Sequence, residues 1–375
     1  MHNILKMIRF IFATSIFLLT KSIFCQEINV IKRQRIDNYY SQSIVDVKKF
    51  GAKVYILGKF ESEPNSRTFS YSLTTVDLNG NVLEKKEIRY EKVDGYNNFE
   101  VLNDTTYLFR GFNWTEDPES TDCIICFNSN LKFKWRYNLE TFQMGDIKTF
   151  ILNDKIYCFS SIVFYIFDIN GKLIKREKTK KMGLPLFYTR LKSNDFLEIG
   201  FDVDNSNKLE FNWFNNSLVQ TKKKLFKINC ECYLDNFYNV DGKLIGNFSV
   251  EETIPESLPK AIVFDYNGNV IDSISIHPDT INMYKTKLEY SDFNFQENRK
   301  ILVGRIDESF GSSENVTILM VLDSKNKMKT KIFNKCTPWT RSRIIKLTDR
   351  RFYLITEAIR NDFQESNIEL IEFEL

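Results

Sequence analysis

Aromatic rings and carboxylates meet in one short segment, Phe112-Asn-Trp-Thr-Glu-Asp117, with Glu119 two residues on. Rings at Phe112 and Trp114 could stack on a sugar face, and Glu116, Asp117 and Glu119 could accept hydrogen bonds from its hydroxyls. The same mixture arises when a loop tucks its rings under a sheet. These five residues are the expected ligand-binding set, and no catalytic residue is assigned.

A second segment, Asp202-Val-Asp-Asn-Ser-Asn207, places side-chain oxygens at alternate positions. Asp202, Asp204 and Ser206 in that spacing resemble half of a calcium loop. The glycine and the twelfth-position glutamate of such loops are missing, and an Asx-rich hairpin turn is the competing reading. No other cofactor is expected.

Seven cysteines occur, six of them after Cys25. Cys123-Ile-Ile-Cys126 reads as strand, where positions three apart point to opposite faces, so these two do not pair readily with each other. Cys230 and Cys232 share a face. Four converging thiolates would make a zinc site, but buried thiols or one disulfide fit an oxidising compartment better. Beyond residue 25 there is one histidine, His277, which excludes histidine clusters for hydrolysis or metal binding. No Gly-x-Ser-x-Gly, P-loop or dinucleotide fingerprint is present. The chain reads as a binding or scaffold module rather than an enzyme. A carbohydrate-binding or carboxylate-based carbohydrate-active protein is the alternative.

The elements that would position these groups are strands. Aromatics make up 14% of the 375 residues, with few glycines and prolines, a composition that suits sheets. Residues 1–25 read as a secretory signal: Lys6 and Arg9, an apolar run from Phe10 to Leu19 too short to span a bilayer, then a polar step. Cleavage before Gln26 would leave residues 26–375 as one exported domain, periplasmic, secreted or on the outer surface. Lipid attachment at Cys25 is the alternative, opposed by Phe24 where that processing wants a small residue. Removing the signal takes away Lys6, Arg9 and Lys21 and no acid, so the formal charge of +3 falls to zero. No basic excess is left for nucleic acid, no later apolar run has membrane-spanning length, and a monomer is expected.

A turn signal recurs along the chain at Asp77-Leu-Asn-Gly80, Asp168-Ile-Asn-Gly171 and Asp265-Tyr-Asn-Gly268. Looser copies begin at Asn128, Asn215 and Asp323, giving spacings of 51, 40, 47, 50 and 58 residues. A second landmark keeps phase: seven apolar phrases such as Val54-Tyr-Ile-Leu-Gly58 and Ile301-Leu-Val-Gly304, each after a short polar turn. A glycine ending such a phrase is expected where crowded inner strands approach closely. The period predicts an all-β repeat fold, a single β-propeller of seven four-stranded blades, with six or eight blades as the alternatives that the 40- and 58-residue spacings leave open. The seventh unit lacks its fourth strand, and residues 27–36 form an unpaired alternating strand, so the N-terminal strand is expected to complete the last blade.

Phrases such as Val76-Asp-Leu-Asn-Gly-Asn-Val-Leu83 and Ile166-Phe-Asp-Ile-Asn-Gly-Lys-Leu173 resemble those of secreted bacterial propellers with quinoprotein-like or NHL-like repeats. The resemblance is at superfamily level. Kelch glycine pairs, regular Trp-Asp pairs and the sialidase Asp-box are missing, and a Trp follows the turn only at Trp135. No active site of those families transfers. In such a ring the loops joining second and third strands share one face. Here they are acidic, in segments 110–122, 251–260, 305–314 and 357–365, while fourth strands such as Lys222-Lys-Lys224 are basic. An acidic recognition face for a protein or glycan partner is the functional reading. Solvated loops and lysine-protected edges are the bland one.

Overall fold

The computed structural model describes residues 28–36, 41–61, 69–90, 92–113, 122–140, 147–160, 163–178, 185–202, 205–228, 232–250, 260–275, 288–296, 299–307, 315–323, 328–336, 340–360 and 365–375. These form seven four-stranded antiparallel sheets. An N-terminal strand, β1 (Asn29–Arg35), precedes blade one, which is β2 (Ser41–Phe50), β3 (Lys53–Glu61), β4 (Ser70–Asp77) and β5 (Val82–Ile88). Blade two is β6 (Gly95–Asn103), β7 (Thr106–Phe112), β8 (Cys123–Asn128) and β9 (Phe133–Asn138). Blade three is β10 (Lys148–Leu152), β11 (Lys155–Phe159), β12 (Val163–Asp168) and β13 (Leu173–Lys178). Blade four is β14 (Pro185–Arg190), β15 (Phe196–Asp202), β16 (Asn205–Phe214) and β17 (Gln220–Lys227). Blade five is β18 (Cys232–Val240), β19 (Lys243–Val250), β20 (Lys260–Phe264) and β21 (Val270–Ser275). Blade six is β22 (Leu288–Gln296), β23 (Arg299–Asp307), β24 (Asn315–Leu322) and β25 (Met328–Cys336). Blade seven is β26 (Arg343–Lys346), β27 (Arg351–Arg360) and β28 (Glu365–Glu374), with β1 on its outer edge.

The expected closure is therefore present. β1 runs antiparallel to β28, from Asn29 opposite Glu374 to Arg35 opposite Glu369, and the Ile36 N–H donates to the Ile368 carbonyl. Seven buried apolar clusters lie one between each pair of neighbouring blades. Tyr55 and Leu57 pack with Phe99 and Phe109 between blades one and two, and Val54 and Ile56 pack with Ile355 and Ile368 between blades one and seven. Ile245 meets Leu302 between blades five and six, and Ile301 meets Leu354 between six and seven. Each blade is apolar on both faces because both are covered, so its middle strands read as near-continuous hydrophobic runs. The blade three–four boundary is mostly aromatic, with Phe159 4.9 Å from both Phe164 and Phe196 between ring centres.

The Asp-x-Asn-Gly turns between third and fourth strands are tight, and one local expectation, on the glycines that end the apolar phrases, is corrected. Only the glycine is left-handed, as at Gly171 (φ +86°). The asparagine is not, so the connection is a type I turn closed by a bulge residue. Asp168 Oδ1 accepts from the N–H groups of Asn170 and Lys172, both at 2.9 Å, and its carbonyl accepts from Gly171 N–H. In the looser copies Leu131 and Leu218 take the left-handed position themselves, at φ +54° and +63°. The glycines ending the apolar phrases, in turn, lie on second strands and not on the innermost ones. At Gly111 a Cβ would stand 2.8 Å from Ile125 Cδ1 and 3.0 Å from Val93 Cγ1, so the glycine yields room to side chains rather than to a neighbouring backbone.

Candidate functional site

The innermost strands β2, β6, β10, β14, β18, β22 and β26 form the wall of the ring. Several carry a bulge near their middle, between Ile44 and Asp46, Tyr96 and Asn98, Leu234 and Asn236, and Tyr290 and Asp292. A bulge re-aims the next side chain. Asp46 Oδ1 accepts from its neighbour Val47 N–H at 2.9 Å, and Oδ2 accepts from Phe99 N–H of blade two at 3.3 Å. Asn98 Nδ2 donates to the Ile147 carbonyl at the start of blade three at 3.5 Å. Asp292 repeats the arrangement, accepting from Phe293 N–H at 2.9 Å and from Ile344 N–H of blade seven at 2.7 Å. Burial pushes the Asp292 carboxyl up, against the pull of Arg343 and those N–H groups. The residues are spelled as a repeating phrase: Ile44-Val-Asp-Val47, Tyr96-Asn-Asn-Phe99, Leu234-Asp-Asn-Phe237, Tyr290-Ser-Asp-Phe293. Sequence reasoning missed these ties, although the recurrence of Asx before an apolar residue carried the signal.

Lys48 stands between two carboxylates of the wall, 2.9 Å from Glu100 and 3.5 Å from Asp46. Burial works to lower its pKa, but Asp46 and Glu100 outweigh it and the ammonium is held charged. Burial raises the Glu100 carboxyl, with Lys48 opposing. At one mouth of the ring an open hollow of about 470 Å³ is lined by Lys49 and by Ile344 to Asp349. Lys49 Nζ donates to the Lys346 carbonyl there at 2.7 Å.

A second polar group lies between blades three and four. Asn212 Nδ2 donates to Glu198 Oε1 at 3.2 Å and to Glu210 Oε1 at 2.8 Å, and Asn212 Oδ1 accepts from Gln220 at 2.9 Å. Lys223 pairs with Glu210 at 2.7 Å. Glu198 is 2% exposed, and burial pushes its carboxyl up to about 7, with Tyr188 and Asn212 pulling the other way. This pair was also missed; a glutamate inside the apolar phrase Phe196-Leu-Glu-Ile-Gly200 was its trace.

Of the expected ligand set, Phe112 is described, and its ring packs where a Cβ on Gly95 would stand, beside the Tyr71 hydroxyl. It is tucked against blade two. Trp114, Glu116, Asp117 and Glu119 lie outside the described residues, as does His277. Two acids counted on the acidic loops turn inward instead. Asp122 closes on the buried Arg110 at 3.2 Å. Glu357, 1% exposed, accepts from Ile44 N–H of blade one at 2.7 Å and from Thr340 Oγ1 at 3.0 Å. Glu251, Glu252, Glu256, Glu308 and Glu314 lie outside the described residues.

At the calcium-like segment β15 ends at Asp202, which pairs with Asn205 at the start of β16. Asp204 lies outside the described residues, and Ser206 is inside β16. Among the described residues no three His, Cys, Asp or Glu side chains converge as metal ligands. Cys123, Cys126, Cys158 and Cys336 are buried free thiols, and burial raises the Cys126 thiol to about 11 and the Cys158 thiol to about 12. No helix of the described residues is long and apolar enough to cross a membrane.

No family model matches the chain, and no curated protein matches it. Solved structures match in shape. The WD40 domain of Pan2 from Neurospora crassa aligns with a TM-score of 0.52 at 10% identity, over 92% of this chain and 95% of that one. Streptogramin B lyase gives 0.52 at 12% identity, over 92% and 98%. YCF48 bound to a D1 peptide gives 0.50 at 9%, over 94% and 97%. Identities this low establish a common β-propeller fold and nothing finer.

Proposed function

We propose that the protein is an exported, monomeric propeller of the secreted bacterial kind that serves as a binding or scaffold module, with the loops between second and third strands as its contact face. The observation that supports this reading is how polar side chains between the blades are used. Asp46, Asn98, Asp292 and Glu357 all bond across blade boundaries to backbone groups. Groups used in that way hold the ring rigid, and loops carried on a rigid ring suit a recognition surface. The fold itself serves both classes: one structural neighbour holds a peptide and another is named as a lyase. The loop sequences favour binding of a cationic protein segment or a polyhydroxylated glycan, through Trp114, Glu116, Asp117 and Glu119, with Phe112 packed against blade two. Calcium at Asp202, Asp204 and Ser206 is not required.

The test is a pull-down and a glycan array on residues 26–375, repeated with Glu116, Asp117 and Glu119 all changed to Lys. Partner binding is expected to weaken at least about tenfold. Binding that ignores the charge reversal overturns the loop-face assignment. Turnover of a captured glycan replaces the binding module with the carbohydrate-active alternative. N-terminal sequencing and mass measurement of the exported protein decide between cleavage before Gln26 and acylation of Cys25.

A further inference from the structure

The opposite face of the ring carries the turns between third and fourth strands, and its outer rim has a composition that the core does not explain. Near the start of the outer strand, or just before it, a large apolar side chain is exposed in six blades: Ile31, Leu83, Phe133, Ile174, Val219 and Ile271, each about half exposed. Leu83, Ile174 and Ile271 sit at the bulge that opens their strand, and Ile31 holds the same position in β1. A bulge alone protects an edge and needs no apolar residue at its apex. Basic residues stand near four of them: Lys32 and Arg33 follow Ile31, Lys85 and Lys86 follow Leu83 beyond Glu84, Lys132 and Lys134 bracket Phe133, and Lys175 follows Ile174, whereas Ile271 is followed by Asp272.

The chain enters the ring on this same face. Asn29 pairs with Glu374 at the turn end of β28, and Ile28 is already buried between blades six and seven. Three residues, Gln26, Glu27 and Ile28, separate it from Cys25, and the apolar run Phe10–Leu19 stands upstream. Three extended residues span on the order of 10 Å. A seven-residue strand such as β1 rises about 23 Å. A membrane-held N-terminus therefore brings the turn face, and not the loop face, against the bilayer.

We propose that the turn face is a docking surface for an anionic phospholipid bilayer. Apolar side chains enter the interfacial zone while Lys85, Lys132 and Lys134 meet the headgroup charge. The acidic loops then point away from the membrane. This inference is independent of what those loops bind, and its failure leaves the loop-face reading standing.

The test is co-sedimentation of residues 26–375 with phosphatidylcholine vesicles and with vesicles containing phosphatidylglycerol, at low and at high salt. Expected is binding to the anionic vesicles, at least about tenfold weaker on neutral ones and reduced by salt. The variant Leu83→Ser, Ile174→Ser, Ile271→Ser changes only exposed positions. It is expected to melt with the parent protein yet lose most vesicle binding. Lys85→Glu with Lys134→Glu should lose it as well. No binding by the parent, equal binding to both vesicle types, or full binding by the serine variant overturns the proposal. A concentration-dependent dimer that the serine variant abolishes, without lipid binding, overturns it in favour of a second copy of this chain.

Discussion

Glu198 holds its proton to about pH 7 in the folded chain, against an ordinary carboxyl value of 4.5. Between those two values the folded form keeps a proton that the unfolded form has released. Stability from this group is full below the ordinary value and is lost as pH rises through about 7. The loss amounts to about 3 kcal/mol at most. Denaturant titrations at pH 5 and pH 8 should show it, and Glu198→Gln should be the more stable form at pH 8 and flatten the difference. An unchanged pH profile in that variant would exclude the titration of Glu198. Glu357 acts in the opposite sense, as an acceptor that must be present. Glu357→Ala leaves the Ile44 N–H buried without its partner and is expected to cost about 2–3 kcal/mol in denaturant unfolding, with Glu357→Gln retaining an acceptor and costing less. Neither glutamate was legible as a buried group. Sequence shows charge type and spacing, whereas burial depends on which blade face the strand turns toward its neighbour. Glu357 in particular reads as one more loop acid until β27 is seen to continue past it.

The turns between third and fourth strands show how an element tolerates an unfavourable residue. Leu218 sits in the left-handed region, which costs a leucine roughly 1–2 kcal/mol. Its side chain is 3% exposed in the cluster between blades three and four. Truncating a buried leucine costs roughly 2–5 kcal/mol, so packing outweighs backbone strain. Leu218→Gly should therefore destabilise by about 1–3 kcal/mol although it relieves φ, and a stabilised variant would reverse that ranking. A lysine ties these turns between blades. Lys86 donates to the Ser129 carbonyl, Lys175 to the Ser217 carbonyl and Lys224 to the Gly268 carbonyl, each reaching the turn of the following blade. The strands themselves were readable because alternation and Asx turns are local. The lysine ties were not readable, because donor and acceptor lie about one repeat apart and meet only in the closed ring.

At the scale of the molecule, closure is the property that the turn period, the apolar phrases and the missing fourth strand jointly announced. The seam between blades one and seven is bonded at several levels. Ser366 Oγ of blade seven donates to the Gln42 carbonyl of blade one at 2.8 Å and accepts from Gln42 N–H at 3.2 Å, while within blade seven β1 pairs with β28 and Arg33 with Glu369 at 2.7 Å. Removing residues 28–36 should lower the melting temperature by about 10 °C or more and raise light scattering, because β28 becomes a free edge. A truncated protein that melts with the parent would mean that the seam holds without β1. The ligand face is a different case. Its chemistry rests on loops whose sequences set charge but not shape, so sequence could nominate Trp114 and Glu116 without arranging them. Arg33 and its partner Glu369 are 336 positions apart. A ribosome adding 5–20 residues per second makes β1 at the outset and β28 on the order of tens of seconds later. For that interval the first strand has no mate, and whatever receives the emerging polypeptide must shield it until the last blade arrives.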